Sequence, residues 1–230
     1  MRGDNPIRQQ ELNDGETLWV QEIFHSLQGE GPFAGRPAVF VRLAGCNLRC
    51  FWCDTDFESS KWKPSINDIL SEVRAFTDGT TKLVVITGGE PFRQNIKPLV
   101  ERLLDAELLV QIETNGTLWV DLPESDNLHI VVSPKTPTIH QEIRRRATAF
   151  KYVITSDKVD EKDGLPIEST QTNGMKAALA KPEKNVPVYV MPLDSGDPEV
   201  NALNTKLCAQ VAQKFGHTLT IQLHKLVGIR

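Results

Sequence analysis

Three cysteines lie close together in the chain, at Cys46, Cys50 and Cys53. Their spacing is C-x3-C-x2-C, and they directly follow the apolar run 38–43. Three thiols in one loop indicate metal binding or redox chemistry. Because the irons of a [4Fe–4S] cluster prefer thiolate ligands, three cysteines on a four-iron cube leave one iron open to another ligand. The spacing therefore favours an iron–sulfur site with a vacant position where chemistry can occur.

Two other chemistries stay open on spacing alone. A zinc site needs a fourth ligand and usually pairs C-x2–4-C with a second distant pair, but the nearest histidines, His25 and His129, have no paired spacing. A redox C-x-x-C at Cys50–Cys53 is the other alternative, and it leaves Cys46 without a role.

Composition sets broad limits on the function. The chain has 230 residues, and its 40% hydrophobic content is enough for a full core. The net charge of −4 gives no field that attracts nucleic acid or anionic lipid, so we expect a small-molecule substrate. No segment reaches the roughly 18 apolar residues that span a bilayer, and the polar start lacks a signal-peptide core. We expect no membrane contact and a cytoplasmic location.

The cysteine count supports that compartment. Four cysteines, three of them clustered, do not resemble the dispersed disulfide framework of a small secreted domain. The fourth, Cys208, shares one helical face with Val211, Ala212 and Phe215, which predicts a buried small hydrophobe.

Apolar runs and helix-type patterns alternate along the chain, which predicts an α/β fold with a parallel sheet and crossover helices. Helices are predicted at Ile66–Phe76 capped by Ser65, at Ile96–Leu104 opened by Asn95, and from Asp197 to Gly216. The predicted strands are Thr17–Phe24, Ala38–Leu43, Leu83–Thr87, Leu108–Glu113, Leu128–Val132, Phe150–Ile154, Val186–Val190 and Leu219–Leu223.

The domain organisation is predicted to be simple. Residues 1–15 form a flexible N-terminal tail, and residues 16–230 form one domain. The stretch Asp157–Lys184 is rich in charge, glycine and proline, so it is predicted to be a flexible insertion or lid.

Unusual residues follow the predicted strands. The C-terminal ends of parallel strands lie on one side of a sheet. These segments are therefore predicted to lie together at that side, where α/β folds place their active sites. Taken alone, Gly88-Gly89 can be a tight strand-to-helix turn, Asn115-Gly116 is a common turn dipeptide, and Ser133-Pro134 can simply end a strand. The six segments are the cysteine loop, Thr87–Pro91 (TGGEP), Glu113–Gly116 (ETNG), Ser133–Lys135 (SPK), Met191–Asp194 (MPLD) and His224–Lys225.

Two ordered motifs carry a family resemblance. The cysteine motif, with Trp52 before the last cysteine, resembles the signature of the radical S-adenosylmethionine (SAM) superfamily, and Gly88-Gly89-Glu90 resembles its GGE motif. Within it, the stretch 22–31 (EIFHSLQGEG), the stretch 42–50 (RLAGCNLRC) and the stretch 53–56 (CDTD) resemble the 7-carboxy-7-deazaguanine synthase family. The resemblance runs from about Glu22 to the C-terminus.

The family implies a fold and a reaction. The fold is a parallel β/α partial, incomplete TIM-like barrel. The three cysteines bind a [4Fe–4S] cluster, SAM chelates the fourth iron, and a 5′-deoxyadenosyl radical takes hydrogen from 6-carboxy-5,6,7,8-tetrahydropterin. The ring contracts with loss of ammonia to 7-carboxy-7-deazaguanine, a lyase reaction that leads to queuosine and related 7-deazapurines. The family also suggests a homodimer and a reducing electron donor such as flavodoxin or ferredoxin.

The resemblance assigns residues to each ligand. For SAM, Glu113 accepts hydrogen bonds, Gly89 allows close approach and Glu90 orients its turn. The other expected SAM contacts are Trp52, Cys53, Asp54, Ser133, Pro134, Lys135, Met191, Pro192, Leu193 and Asp194. Met191 departs from the family, which has glutamine there.

For the pterin, Glu30 suits the donor edge of the pyrimidine and Arg42 can pair with the substrate carboxylate. The remaining expected substrate contacts are Leu27, Gln28, Gly29, Thr87 and Arg230. Thr55 matches the position that ligates Mg²⁺. These residues could also have purely structural roles: Glu30 and Arg42 could form an ion pair with each other, and Thr55 could cap a turn.

Two other functions compete with this one. A glycyl-radical-enzyme-activating protein of the same superfamily shares the cysteine motif but acts on a partner protein. A non-catalytic module could instead bind zinc at the cysteines.

Overall fold

The computed structural model describes residues 5–53, 55–77, 79–155, 158–171 and 178–229. These residues build one sheet whose eight strands lie side by side in sequence order, and the sheet is open. The strands are β1 (Val20–Leu27), β2 (Pro37–Leu43), β3 (Leu83–Gly88), β4 (Leu109–Thr114), β5 (Leu128–Val132), β6 (Ala149–Ile154), β7 (Val188–Pro192) and β8 (Thr218–Leu219).

Helices follow several of these strands. They are α1 (Ile66–Phe76), α2 (Lys97–Asp105), α3 (Gln141–Arg146), α4 (Pro198–Phe215) and α5 (Leu223–Val227). Parallel strands with connecting helices, wound into an open sheet, confirm the predicted partial barrel. In the described part of the chain, no helix is long and apolar enough to cross a membrane.

The sheet departs from an all-parallel one at its first strand. β1 pairs antiparallel to β2, with Leu27 opposite Pro37, whereas β2 to β8 are parallel. The strand predicted at Thr17–Phe24 lies three residues further on, because residues 16–18 pair with the segment before α1 instead. The antiparallel direction carries the chain after Leu27 to the end of the sheet where β2 begins.

The last predicted strand, Leu219–Leu223, is largely wrong. Only Thr218–Leu219 pair with β7, and Leu223 begins α5. The apolar run is too short to distinguish a strand from a helical turn. His224 and Lys225 therefore lie on a short helix.

Local signals place the helix ends well. Ser65 caps α1 through a reciprocal capping box with Asp68. Asp197 accepts the first N–H groups of α4, and Gly216 ends this helix in the left-handed conformation. For α2, Asn95 accepts from the Lys97 N–H at 3.3 Å, although the helix begins one residue later than predicted.

The core lies between the sheet and the helices. β3 is buried over Leu83–Thr87 as its continuous apolar run predicts, and α1 and α2 pack their apolar faces beside it. Cys208 is fully buried on α4, in agreement with the sequence.

The chain before β1 contacts the barrel. The Arg8 N–H donates to the Cys46 carbonyl at 2.7 Å, and the Glu11 N–H donates to the Arg93 carbonyl at 2.7 Å. Gln10 donates to the carbonyl of Phe92 at 2.8 Å. These bonds attach residues 8–11 beside the cysteine loop, and a domain boundary at residue 16 stays a prediction.

Candidate active site

The cysteine loop leaves the C-terminal end of β2 and is held by neighbouring turns. Cys46 is buried, while Cys50 and Cys53 are partly exposed, and none of the three forms a disulfide. Asn47 donates to Thr117 at 2.8 Å and accepts from the Asn115 amide at 3.0 Å. The loop is thus fixed at its first cysteine by the turn that follows β4.

The glycine pair after β3 packs directly on this loop. The Gly89 N–H donates to the Leu43 carbonyl at 3.2 Å, and the Glu90 N–H donates to the Gly45 carbonyl at 3.0 Å. A Cβ on Gly89 would lie 2.5 Å from the Gly45 carbonyl carbon and 2.9 Å from the Cys46 Cβ. The absence of a side chain at Gly89 is therefore needed to bring the two motifs together.

Glu90 binds the next turn rather than facing the cavity. Its carboxylate accepts from the Phe92 N–H at 3.1 Å, the Thr114 hydroxyl at 2.7 Å and the Asn115 N–H at 2.7 Å. Burial raises its pKa to about 7, and these three donors oppose that rise. The GGE turn, the cysteine loop and the turn after β4 consequently form one hydrogen-bonded unit.

The donor set of the loop fits an iron–sulfur cluster. Three cysteines that are not in disulfides can supply three thiolates to a cube with one open iron. Burial, together with the nearby Glu90, raises the pKa of the Cys46 thiol to about 12, so a cationic group is required to hold it as a thiolate. Within the described ranges, no three His, Cys, Asp or Glu side chains are placed to bind a single metal ion.

A cavity of about 1190 Å³ opens beside the loop. It joins the two motifs to the interior of the sheet, and it is large enough for two small-molecule ligands of drug-like size or less. The predicted site residues on its wall are Cys46, Cys50, Trp52, Cys53, Thr55, Gln28, Gly29, Glu30, Arg42, Thr87, Gly89, Glu113, Ser133, Lys135 and Met191.

Glu113 connects the predicted SAM and substrate residues. Its carboxylate accepts from the Gln28 amide at 3.0 Å, the Gln111 amide at 3.1 Å and the Thr87 hydroxyl at 3.1 Å. Gln28 and Gln111 are almost fully buried. Three donors around one carboxylate hold it in a fixed position.

Glu30 is paired inside the barrel with Lys151 of β6. Both side chains are largely buried, and the Gln222 amide donates to the second Glu30 oxygen at 3.4 Å. Burial alone raises the pKa of Glu30, but the charge and hydrogen bond of Lys151 outweigh it and hold the pKa below its usual value. Glu30 is therefore a carboxylate on the cavity wall.

Arg42 lies on β2 and lines another part of the same cavity. Its Nε donates to Glu22 at 2.9 Å, and its guanidinium carbon lies 5.6 Å from the centre of the Phe24 ring. Glu30 and Arg42 thus have different partners, and the ion pair between them considered from the sequence is absent from the described structure.

The SPK and MPLD segments complete the wall near the cysteines. Lys135 donates to the Ser133 carbonyl at 3.0 Å and lies 5.5 Å from the Trp52 ring centre, and burial lowers its pKa to about 8. Met191 projects into the main cavity from β7.

Several predicted residues lie outside this cavity wall. Leu27 ends β1 and Pro192 ends β7. Pro134 and Leu193 line a separate cavity of about 190 Å³. Asp194 is bound by Lys225 at 2.7 Å, and that contact lowers its pKa well below the usual range. Asp54 and Arg230 lie outside the described residues.

Thr55 lies on the main cavity wall beside the last cysteine. Its carbonyl accepts from the Asn5 amide at 3.2 Å, which ties this part of the loop to the start of the described chain.

Sequence reasoning missed three interior polar residues, Lys151, Gln111 and Gln222. One signal was available. Lys151 interrupts the apolar run Phe150–Ile154, and a charge inside a buried parallel strand requires a partner in the barrel interior. Gln111 offers the same signal in β4, whereas Gln222 depends on the unpredicted start of α5.

Comparison with known proteins agrees with this geometry. The family model of the Radical SAM superfamily matches residues 41–158. A 7-carboxy-7-deazaguanine synthase of Rhodospirillum rubrum is 51% identical over the whole of both chains. One of Rickettsia prowazekii is 39% identical over all of this chain and 96% of its own. These relatives favour neither a glycyl-radical-activating enzyme nor a zinc module.

A solved structure supports the same assignment. The crystal structure of QueE from Escherichia coli superposes with a TM-score of 0.64, at 27% identity, over 90% of this chain and 94% of that one. With full-length relatives, a matching family model and both motifs assembled at one cavity, the chain belongs to the 7-carboxy-7-deazaguanine synthase family of the radical SAM superfamily.

Proposed function

We propose that this protein converts 6-carboxy-5,6,7,8-tetrahydropterin to 7-carboxy-7-deazaguanine, with loss of ammonia, as a step towards queuosine and related deazapurines. The observation that carries the proposal is the single cavity that joins the three cysteines to Glu30, Arg42 and Thr87. The same cavity would let a cofactor held at the cysteines lie beside a carboxylated pterin held by Glu30 and Arg42 inside the protein.

Membership of the radical SAM superfamily implies a [4Fe–4S] cluster and SAM. When bound, they supply a 5′-deoxyadenosyl radical. Cys46, Cys50 and Cys53 hold the cluster. Trp52 and Lys135 border the SAM site, with further contacts from Gly89, Ser133 and Met191 on the same cavity wall.

At the substrate end of the cavity, the opposite charges of Glu30 and Arg42 define the orientation of the pterin. Glu30 is held ionised by Lys151 and accepts from the N–H groups of the pyrimidine edge. Arg42 pairs with the substrate carboxylate, since its partner Glu22 occupies the Nε atom and the outer nitrogens donate to no carboxylate of the described residues. Gln28 and Thr87 bind the ring edge while they remain bonded to Glu113.

Mg²⁺ binds at the Thr55 hydroxyl and at substrate oxygens. Magnesium takes hard oxygen ligands and keeps several waters, so one hydroxyl on the wall of a wide cavity is enough protein contact. Thr55 lies two residues after Cys53 on the wall of this cavity, and its hydroxyl would hold the ion there.

The protein acts as a homodimer in the cytoplasm and takes electrons from a small reducing protein such as flavodoxin or ferredoxin. The exposed apolar residues at the end of the chain, Leu226, Val227 and Ile229, suit burial against a second copy. Phe51, 44% exposed between two of the cysteines, brings the cluster loop to the surface where a donor can approach.

The test is an anaerobic turnover assay with the reconstituted protein, dithionite, SAM and carboxytetrahydropterin. We expect 7-carboxy-7-deazaguanine with SAM regenerated. Cys50→Ala should lose cluster and product, whereas Cys208→Ala, which removes the cysteine buried on α4, should keep both. A preparation that cleaves SAM but forms no deazaguanine would overturn the assignment of the substrate.

A further inference from the structure

Thr170 and Gln171 lie against the cysteine loop on the Cys50 side. The Phe51 N–H donates to the Thr170 carbonyl at 3.2 Å, and the Arg49 N–H donates to the Gln171 Oε1 at 3.0 Å. The two residues flanking Cys50 are thus both bound by one short segment. This segment belongs to the stretch 157–184, which was predicted from the sequence to be a flexible insertion or lid.

The side chains of the same two residues reach the Cys50 sulfur. Thr170 Oγ1 lies 3.0 Å and Gln171 Nε2 lies 3.2 Å from Sγ. The Gln171 amide also donates to the Thr170 hydroxyl at 2.9 Å. A cysteine that ligates iron is a thiolate without a proton, so the hydroxyl must donate to the sulfur and accept from the amide.

These donors differ from ordinary surface contacts. Thr170 is only 6% exposed, so water does not replace its hydroxyl on the sulfur. A chain of two hydrogen bonds in a buried site polarises each of its members. By comparison, Cys46 receives a bond from the Leu48 backbone N–H at 3.4 Å, which no side-chain change can remove.

We propose that Thr170 and Gln171 raise the reduction potential of the cluster by donating hydrogen bonds to the Cys50 thiolate. Reduction adds one electron to the cluster, and donors to a ligand sulfur stabilise the extra negative charge. They are positioning residues that act through Cys50. The inference rests on the cluster of the proposed function, and it assigns part of the insertion a role in making that cluster reducible.

The test uses reconstituted full-length protein without SAM, titrated anaerobically with dithionite. Each reduction passes one electron to the cluster, and the electron paramagnetic resonance signal of the reduced cluster gives the midpoint potential. Thr170→Val keeps the shape and removes the donor, while Thr170→Ser keeps the hydroxyl. Gln171→Glu keeps an acceptor for the Arg49 N–H and removes the amide, and Gln213→Glu adds the same charge on the exposed face of α4.

We expect Thr170→Val and Gln171→Glu to shift the midpoint to more negative values. Thr170→Ser and Gln213→Glu should stay at the wild-type value. A purely structural role would change the amount of cluster bound and leave its potential unchanged. Because the signal comes from loaded molecules alone, a variant that binds less cluster still reports its potential.

A second measurement follows the hydrogen bonds themselves. Exchange into D2O should shift the resonance Raman Fe–S(Cys) stretches of the wild type, and Thr170→Val should reduce that shift. Wild-type potentials in both Thr170→Val and Gln171→Glu would overturn the inference, while a wild-type protein that assembles no four-iron cluster would instead overturn the proposed function.

Discussion

The buried pair of Glu30 and Lys151 allows a quantitative test of how the barrel interior is built. Lys151→Met removes the cation and keeps an unbranched side chain of similar length. The two side chains are 14% and 8% exposed, so the remaining carboxylate has little access to water. Breaking a buried ion pair from one side costs roughly 3–5 kcal/mol. Because Gln222 still donates to Glu30, we expect the lower end, about 3 kcal/mol, at pH 7.

The cost should depend on pH with a defined sign. In the wild type the pKa of Glu30 is lowered, so its contribution to stability is present above its unfolded pKa and is lost in acid. Without Lys151, burial is the dominant influence and raises the pKa of Glu30 above its unfolded value. The variant then loses stability as the pH rises from about 4.5 to 7, and the penalty of the substitution shrinks as the pH is lowered.

Equilibrium urea unfolding of the apoprotein measures both effects. The double variant Glu30→Gln with Lys151→Met removes both charges, and its amide still accepts from Gln222. We expect it to recover about 2 kcal/mol relative to the Lys151→Met variant, because no unpaired carboxylate is buried. Additive free energies, or a penalty for Lys151→Met that is the same at pH 5.5 and pH 7, would refute this account of the pair.

Three further predictions concern the cavity wall. Gly89→Ala places a Cβ 2.5 Å from the Gly45 carbonyl carbon, so the cysteine loop and the GGE turn must separate. Iron and sulfide analysis should show loss of most of the cluster, and a fully loaded variant would contradict the close packing of these two motifs. Arg42→Met removes a charge-assisted contact worth about 1.5–3 kcal/mol, so KM for the pterin should rise roughly 10- to 150-fold with SAM binding unchanged. Thr55→Ala should abolish the Mg²⁺ dependence of turnover, and Thr55→Ser should retain it; unchanged dependence in the alanine variant means that Mg²⁺ binds elsewhere.

The parts of this site that the sequence predicts are those encoded over short stretches. Ser65 and Gly216 mark helix ends because capping depends on a few neighbouring residues. The cysteine loop and the GGE turn are likewise complete within a few positions. Their side-by-side placement follows from the rule that parallel strands β2 and β3 end on the same side of a sheet.

Other parts depend on contacts between distant segments. The direction of β1 is set by its pairing with β2, which a pattern of apolar residues does not reveal. The partners of Glu30 come from positions 151 and 222, and they meet it because the chain after the antiparallel strand turns into the barrel. An isolated lysine in a buried strand indicates that a partner exists, and only the fold identifies it.

Glu113 shows why these interior contacts matter for the chemistry. The residue was predicted to accept from SAM, yet its carboxylate already accepts from Gln28 and Thr87, two predicted substrate contacts, and from Gln111. Oε1 takes the two amide donors, and among the described residues Oε2 accepts from the Thr87 hydroxyl alone, so an acceptor position remains on Oε2 for a donor from SAM. The same carboxylate can then contact SAM while it holds Gln28 and Thr87 in place for the pterin. Because both predicted ligand sites depend on this one group, Glu113→Gln is expected to weaken SAM binding and pterin binding together.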